Sequence, residues 1–152
     1  MKQLLLAAVF VMSVLSLNAQ TGLFNLSFGD SREECTDILE TQGFSIDEAT
    51  DSEIVLINSD NELVDHIILR FAGEEGILNS WSIAYNAVED EDIESLATEA
   101  LESYHSEGWD YDEEWEYYSI VIDDDHYVEA GWGWWDEFFW VDYSTGSYGE
   151  GY

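Results

Sequence analysis

The groups of this chain that could hold a metal, move a proton or attack a bond are 35 carboxylates, three histidines and one cysteine. With carboxylates this dense, a pair at glycosidase separation can be drawn almost anywhere, so their abundance is no argument for acid–base catalysis. Cysteine–histidine chemistry would need Cys35, whose spacing with Ile38 and Leu39 sets it on the apolar side of a helix as a buried thiol. Being unpaired, it makes no internal disulfide. Asp123-Asp124-Asp125-His126 offers a candidate metal set in Asp123, Asp125 and His126, since oxygen ligands with a histidine suit several divalent ions. No glycine-containing calcium loop surrounds it, and it reads as a solvated turn. His66 sits mid-strand, and His105 lies near a helix end, where a cation complements the dipole; neither has a companion at ligand spacing. The chain has no glycine-rich phosphate loop and no nucleophile elbow. Its residues therefore read as those of a protein without enzymatic activity and without a cofactor.

Aromatic rings offer a different chemistry, the burial or stacking of a partner. They concentrate in Tyr127 to Tyr143, YVEAGWGWWDEFFWVDY. With Asp136-Glu137 as a two-residue turn, Trp135 faces Phe138, Trp134 faces Phe139, Gly133 faces Trp140 and Trp132 faces Val141. Alternation then puts Trp132, Trp134, Phe139, Val141 and Tyr143 on one side of the hairpin. Gly131, Gly133, Trp135, Phe138, Trp140 and Asp142 occupy the other. There, Trp140 is expected to lie across Gly133 and cover its bare backbone.

Around this hairpin the remaining elements fall into order. Leu23 to Phe28 alternates as a first strand; Ser31 and Glu34 stand at capping-box spacing and open a helix that Gly43 closes. Strands are predicted at Glu53 to Asn58, Leu63 to Phe71 and Ile77 to Tyr85. Ile93, Leu96, Ala97, Ala100, Leu101 and Tyr104 mark a second, amphipathic helix that follows an acidic start and ends at Gly108. The pattern then recurs. At an offset of 65, Gly43-Phe44 matches Gly108-Trp109, Val55 and Ile57 match Ile120 and Ile122, and Ile67 and Leu69 match Trp132 and Trp134. At an offset of 58, Trp81, Ile83 and Tyr85 match Phe139, Val141 and Tyr143.

The expected fold class is α+β: two tandem α-β-β-β units, about residues 24–85 and 90–143, forming one antiparallel sheet with both helices on one face. Residues 144–152 read as a loose tail. The duplication sorts the rings. Trp132, Trp134 and Phe139 occupy slots filled by Ile67, Leu69 and Trp81, so they are expected in the core. Phe138 and Trp140 replace Ser80 and Ser82, on a face where packing asks for no large ring. With Trp135 and Tyr117 they form a candidate binding patch edged by Asp142 and the acidic 110–116 segment. In the competing arrangement, the tail or the Trp109 to Trp115 loop folds over them.

The order of elements, the Gly-Asp-Ser-x-x-Glu helix entry at residues 29–34 and the repeated glycine–aromatic helix exit resemble the tandem helix-plus-sheet modules of β-lactamase inhibitory protein and BamE-like envelope folds. That resemblance spans about residues 24–143 and implies a protein-binding role, with no inhibitory residue carried over.

Met1-Lys2-Gln3, the apolar run Leu4 to Leu17 and Asn18-Ala19 read as a secretory signal, residues 1–19, cleaved after Ala19. The protein is thus expected to be exported, periplasmic or extracellular, and not inserted in a membrane after cleavage. A formal charge of −32 repels nucleic acids and anionic lipid. It leaves cations, basic proteins and neutral glycans as partners. Two functions follow: a small binding module for a protein or neutral glycan, built on Tyr117, Trp135, Phe138, Trp140 and Asp142, or a carboxylate-rich cation-binding or structural envelope protein. Its carboxylates also solvate the chain in either case.

Overall fold

The structure is a computed structural model and describes residues 21–74, 76–86, 92–105, 108–121 and 126–147. Helix α1, Arg32–Glu40, starts where the sequence places it. The Ser31 hydroxyl accepts from the Glu34 N–H while the Glu34 carboxylate accepts from the Ser31 N–H. It ends at Gly43, whose φ of 91° lets the Gly43 and Phe44 amides turn back onto the carbonyls of Glu40 and Leu39. Four strands follow: β1 Ser45–Ala49, β2 Glu53–Ile57, β3 Val64–Ala72 and β4 Ile77–Asn86. Helix α2, Ile93–His105, leads to β5 Asp110–Asp112, β6 Tyr117–Val121, β7 His126–Trp135 and β8 Phe138–Ser147.

All eight strands make one antiparallel sheet in the order β1-β2-β3-β4-β8-β7-β6-β5. The fold is α+β, with β4 and β8 meeting at the centre. Cys35 and Leu39 of α1 and Ile93, Ala97 and Leu101 of α2 enter one continuous core with Ile67, Leu69, Trp81, Ile83, Phe139, Val141 and Tyr143. Each fully buried aliphatic side chain of this set contributes about 1.5–3 kcal/mol relative to exposure. The β7–β8 register is the expected one, from Trp132 opposite Val141 to Trp135 opposite Phe138. Its turn takes only Asp136, not Glu137, to positive φ (54°).

Several expectations need correction. Leu23 to Phe28 is not a strand: Leu23–Asn25 is a 3₁₀ turn, with Phe24 and Asn25 at positive φ, and the chain doubles back so that Thr21 bridges Ser27. The doubling lays Gly22 against the core, where a Cβ would lie 2.5 Å from Trp81 and 2.6 Å from Tyr143. Each half carries four strands rather than three. The unexpected ones, β1 and β5, are outer strands whose SIDEA and DYD sequences show no buried residue, so apolar alternation could not reveal them. Residues 144–147 belong to β8 rather than to a loose tail. Matching Val55 to Ile120 also fails in register. Val55 pairs with Ile68, so Ile120 should face Gly133, yet it faces Val128. The β6 strand is therefore displaced five residues along β7, and its pairing ends at Tyr118–Ala130.

That displacement explains the core rings. Phe139 is buried and Trp132 partly so, but Trp134 is 52% exposed. Leu69, the residue the offset of 65 sets against it, is flanked by Ile54 of β2, whereas no described strand flanks Trp134 on its outer side. The Trp134 indole instead donates to the Glu94 carboxylate of α2 at 2.9 Å.

Candidate functional site

On the face turned away from the core, the registers arrange side chains in rows across the central strands. One row is His66, Ala84, Trp140 and Gly133; the next is Ile68, Ser82, Asp142 and Gly131; a third is Arg70, Ser80, Ser144 and Glu129. Ala84 is small and buried, which lets the His66 and Trp140 rings meet edge-on across it at 5.3 Å. Phe138 adds a second edge-on contact to His66, at 5.7 Å, and one to Trp140, at 6.1 Å.

The Trp140 ring meets His66 and its indole N–H reaches the Trp135 carbonyl at 3.4 Å, and it does not cover Gly133 as the pairing suggested. A Cβ built on Gly131 or on Gly133 would meet nothing within 4 Å. Two consecutive inner positions of β7 therefore leave a bare trough, a cavity of about 570 Å³. Trp140, Asp142 and Ser144 line one wall and Tyr117 the other, while Trp135 and Glu129 stand toward its ends. From Glu129 to Trp135 is six residues of strand, roughly 20 Å. Of the five binding residues expected from the sequence, Tyr117, Trp135, Trp140 and Asp142 come together around this trough; Phe138 stands behind Trp140 and supports it.

Trp135 is 73% exposed, Asp142 is exposed, and Tyr117, Phe138 and Trp140 are half-buried. Of the Trp109 to Trp115 loop, Trp109 packs 4.0 Å from His105 on the helix side and Trp115 is exposed. The tail beyond Ser147 lies outside the described residues.

Sequence reasoning missed three contributors. His66 has no companion at ligand spacing in the sequence, yet its Nδ1 contacts the Asp65 carboxylate at 2.7 Å and its ring buttresses Phe138 and Trp140. Arg70 donates to the Ser82 hydroxyl at 2.8 Å and pairs with Glu53 at 3.4 Å. Glu129 lies in the trough, where burial raises its carboxyl pKa. Only the strand order, which brings β3 within one strand of β8, could have pointed to His66 and Arg70.

The other chemical candidates resolve differently. Cys35 is buried, and burial, reinforced by Asp30 and Glu34, pushes its thiol up to about 12. Asp123 and Asp125 lie outside the described residues, and His126 is an exposed residue at the start of β7. Among the described residues no three His, Cys, Asp or Glu side chains are grouped to hold a metal ion. His105 is not a cationic helix end; it is 1% exposed, with its Nε2 2.8 Å from the Tyr143 hydroxyl. Scans against protein-family models, curated proteins and solved structures each found no significant match.

Proposed function

We propose that this is an exported binding module that holds another protein or a neutral glycan on the open aromatic face of its second half. The carrying observation is the bare floor over Gly131 and Gly133 between Trp135, Trp140 and Tyr117, with Asp142 at its rim. Large rings beside unfilled space on an exposed face provide contact area at low entropic cost, which is what a recognition surface requires.

We further propose that the two halves arose by duplication. Supporting this, the strand order reads the same from either edge, and Ile83 pairs with Val141, its own counterpart. Leu69–Trp81 and Trp134–Phe139 are matching pairs, and Gly43 and Gly108 share φ values of 91° and 88°. Against that common plan, the second half departs in its rings and in the displaced β6.

Filling the trough is the direct test. Gly133→Val should leave the fold intact or stabilise it by up to about 1 kcal/mol, since valine suits a strand and meets no atom there. Binding should nevertheless fall by about tenfold or more. Trp135→Ala should change stability by less than about 0.5 kcal/mol and weaken binding similarly. Trp140→Ser should also weaken binding but cost about 1–2 kcal/mol, because its ring packs against His66. Titration of immobilised peptide and glycan libraries, alongside urea denaturation, reads both quantities. A valine variant that binds every ligand as well as the parent would sink the proposal.

A further inference from the structure

Both outer strands of the sheet are protected against pairing. β1 is fully exposed, carries Asp47 and Glu48 and is broken by a bulge between Ile46 and Glu48; β5 is three residues long with aspartate at both ends. A third edge exists inside the sheet. Because β6 begins at Tyr117, beside Gly131, the outer side of β7 from Trp132 to Trp135 has no described strand beside it. This segment, Trp-Gly-Trp-Trp, contains no charge, no proline and no bulge, and its outward backbone N–H and C=O groups have no partner strand among the described residues.

The charge of that chain follows from the groups around the edge. Glu129 and Asp142 lie in the trough, the Glu113–Glu116 turn and the Asp136–Glu137 turn flank it, and neither Glu129 nor Asp142 forms an ion pair among the described residues. Of the two described arginines, Arg32 donates to the carbonyls of Thr50 and Asp51, away from the trough, and Arg70, which lines the trough, donates to Ser82 and pairs with Glu53, so the carboxylates there outnumber the single guanidinium. A second copy of this acidic chain would add like charge, whereas a basic segment supplies what is missing.

Resting on the binding role proposed above, we infer that the partner is a protein presenting an extended, basic segment, which adds as a strand to the outer edge of β7 at Trp132–Trp135. Its inward side chains then lie over the bare Gly133 floor. There the aliphatic stem of an arginine or lysine packs against Trp135, and its head reaches Asp142 or Glu129.

The test uses a blocked seven-residue peptide alternating arginine with valine, titrated into the full chain by calorimetry. Two further versions carry N-methyl groups on the arginine amides or on the valine amides. In an added strand only one set of amides faces β7, so one version should lose about tenfold or more in affinity while the other stays within about threefold. Replacing arginine by glutamate should abolish binding. Equal affinity of both methylated peptides overturns strand addition while leaving the trough as a binding site. If the arginine peptides do not bind but cellohexaose does, in a manner lost in Gly133→Val, the basic partner is wrong and the binding role stands. Silence of every probe rejects the basic segment. So does a dimer in sedimentation that occupies the edge and is dispersed by Trp135→Lys.

Discussion

His105 shows how a single side chain can be misjudged when only its helix position is known. It lies at the end of α2, where a positive charge is ordinarily favourable, but it packs beneath Trp109, Tyr118 and Tyr143. The Tyr143 hydroxyl accepts from the Leu23 N–H at 3.0 Å, so its own hydrogen is free to be donated to Nε2. The other ring nitrogen, Nδ1, has no hydrogen-bond partner among the described residues, so no acceptor there favours a second proton on the ring. Burial accordingly pushes the histidine pKa down to about 4 from 6.5. The native state refuses a proton that the unfolded chain accepts, so this stability is fully present above pH 6.5 and is lost as pH falls toward 4. Its ceiling is roughly 3 kcal/mol. Carboxylates titrate in the same window, and subtraction removes them. Parent minus His105→Gln stability, measured by urea denaturation from pH 8 to 4, should decline below pH 6.5. A flat difference would mean that the imidazole is charged in the native protein.

The elements were legible where one chemical signal dominated. Helix α1 declared both its ends, through the Ser31–Glu34 capping box and through Gly43. Removing the first by Ser31→Ala should destabilise the protein by about 1 kcal/mol, readable as a lowered urea midpoint with unchanged slope. The β7–β8 hairpin was equally legible, because a period of two and a two-residue turn leave one register that buries Phe139, Val141 and Tyr143 together. The outer strands were not. β1 and β5 bury no side chain, and their pairing is backbone hydrogen bonding that any residues could supply. The displacement of β6 had a trace in the sequence that a fixed offset concealed: Tyr118 and Ile120 pair with the small residues Ala130 and Val128, not with the tryptophans beyond them. The candidate site was thus legible in its rings and illegible in its openness. The face of Trp135, Trp140 and Asp142 followed from alternation alone. The empty Gly133 floor depended on where the Trp140 ring settles, between His66 of another strand and the Trp135 carbonyl, which alternation does not specify.

At the scale of the whole molecule, charge acts on folding and on recognition in opposite directions. The chain carries 35 acidic and three basic side chains, and the described residues form one close arginine–carboxylate pair, Arg70–Glu53, beside a His66–Asp65 contact. Folding brings carboxylates nearer to one another than they are in an extended chain, so unscreened repulsion weakens the native state. Salt shortens the reach of that repulsion to about 10 Å at 0.1 M, and the urea midpoint should therefore rise between about 0.02 and 0.5 M sodium chloride. A fall would mean that the few attractive pairs outweigh the repulsion. The same series distinguishes the partner classes. A basic segment drawn to Glu129 and Asp142 should lose affinity as salt increases, because its attraction is screened along with the repulsion. A neutral glycan stacked on Trp135 and Trp140 has no charge to screen, and its affinity should stay level across salt concentrations at which the fold itself becomes firmer.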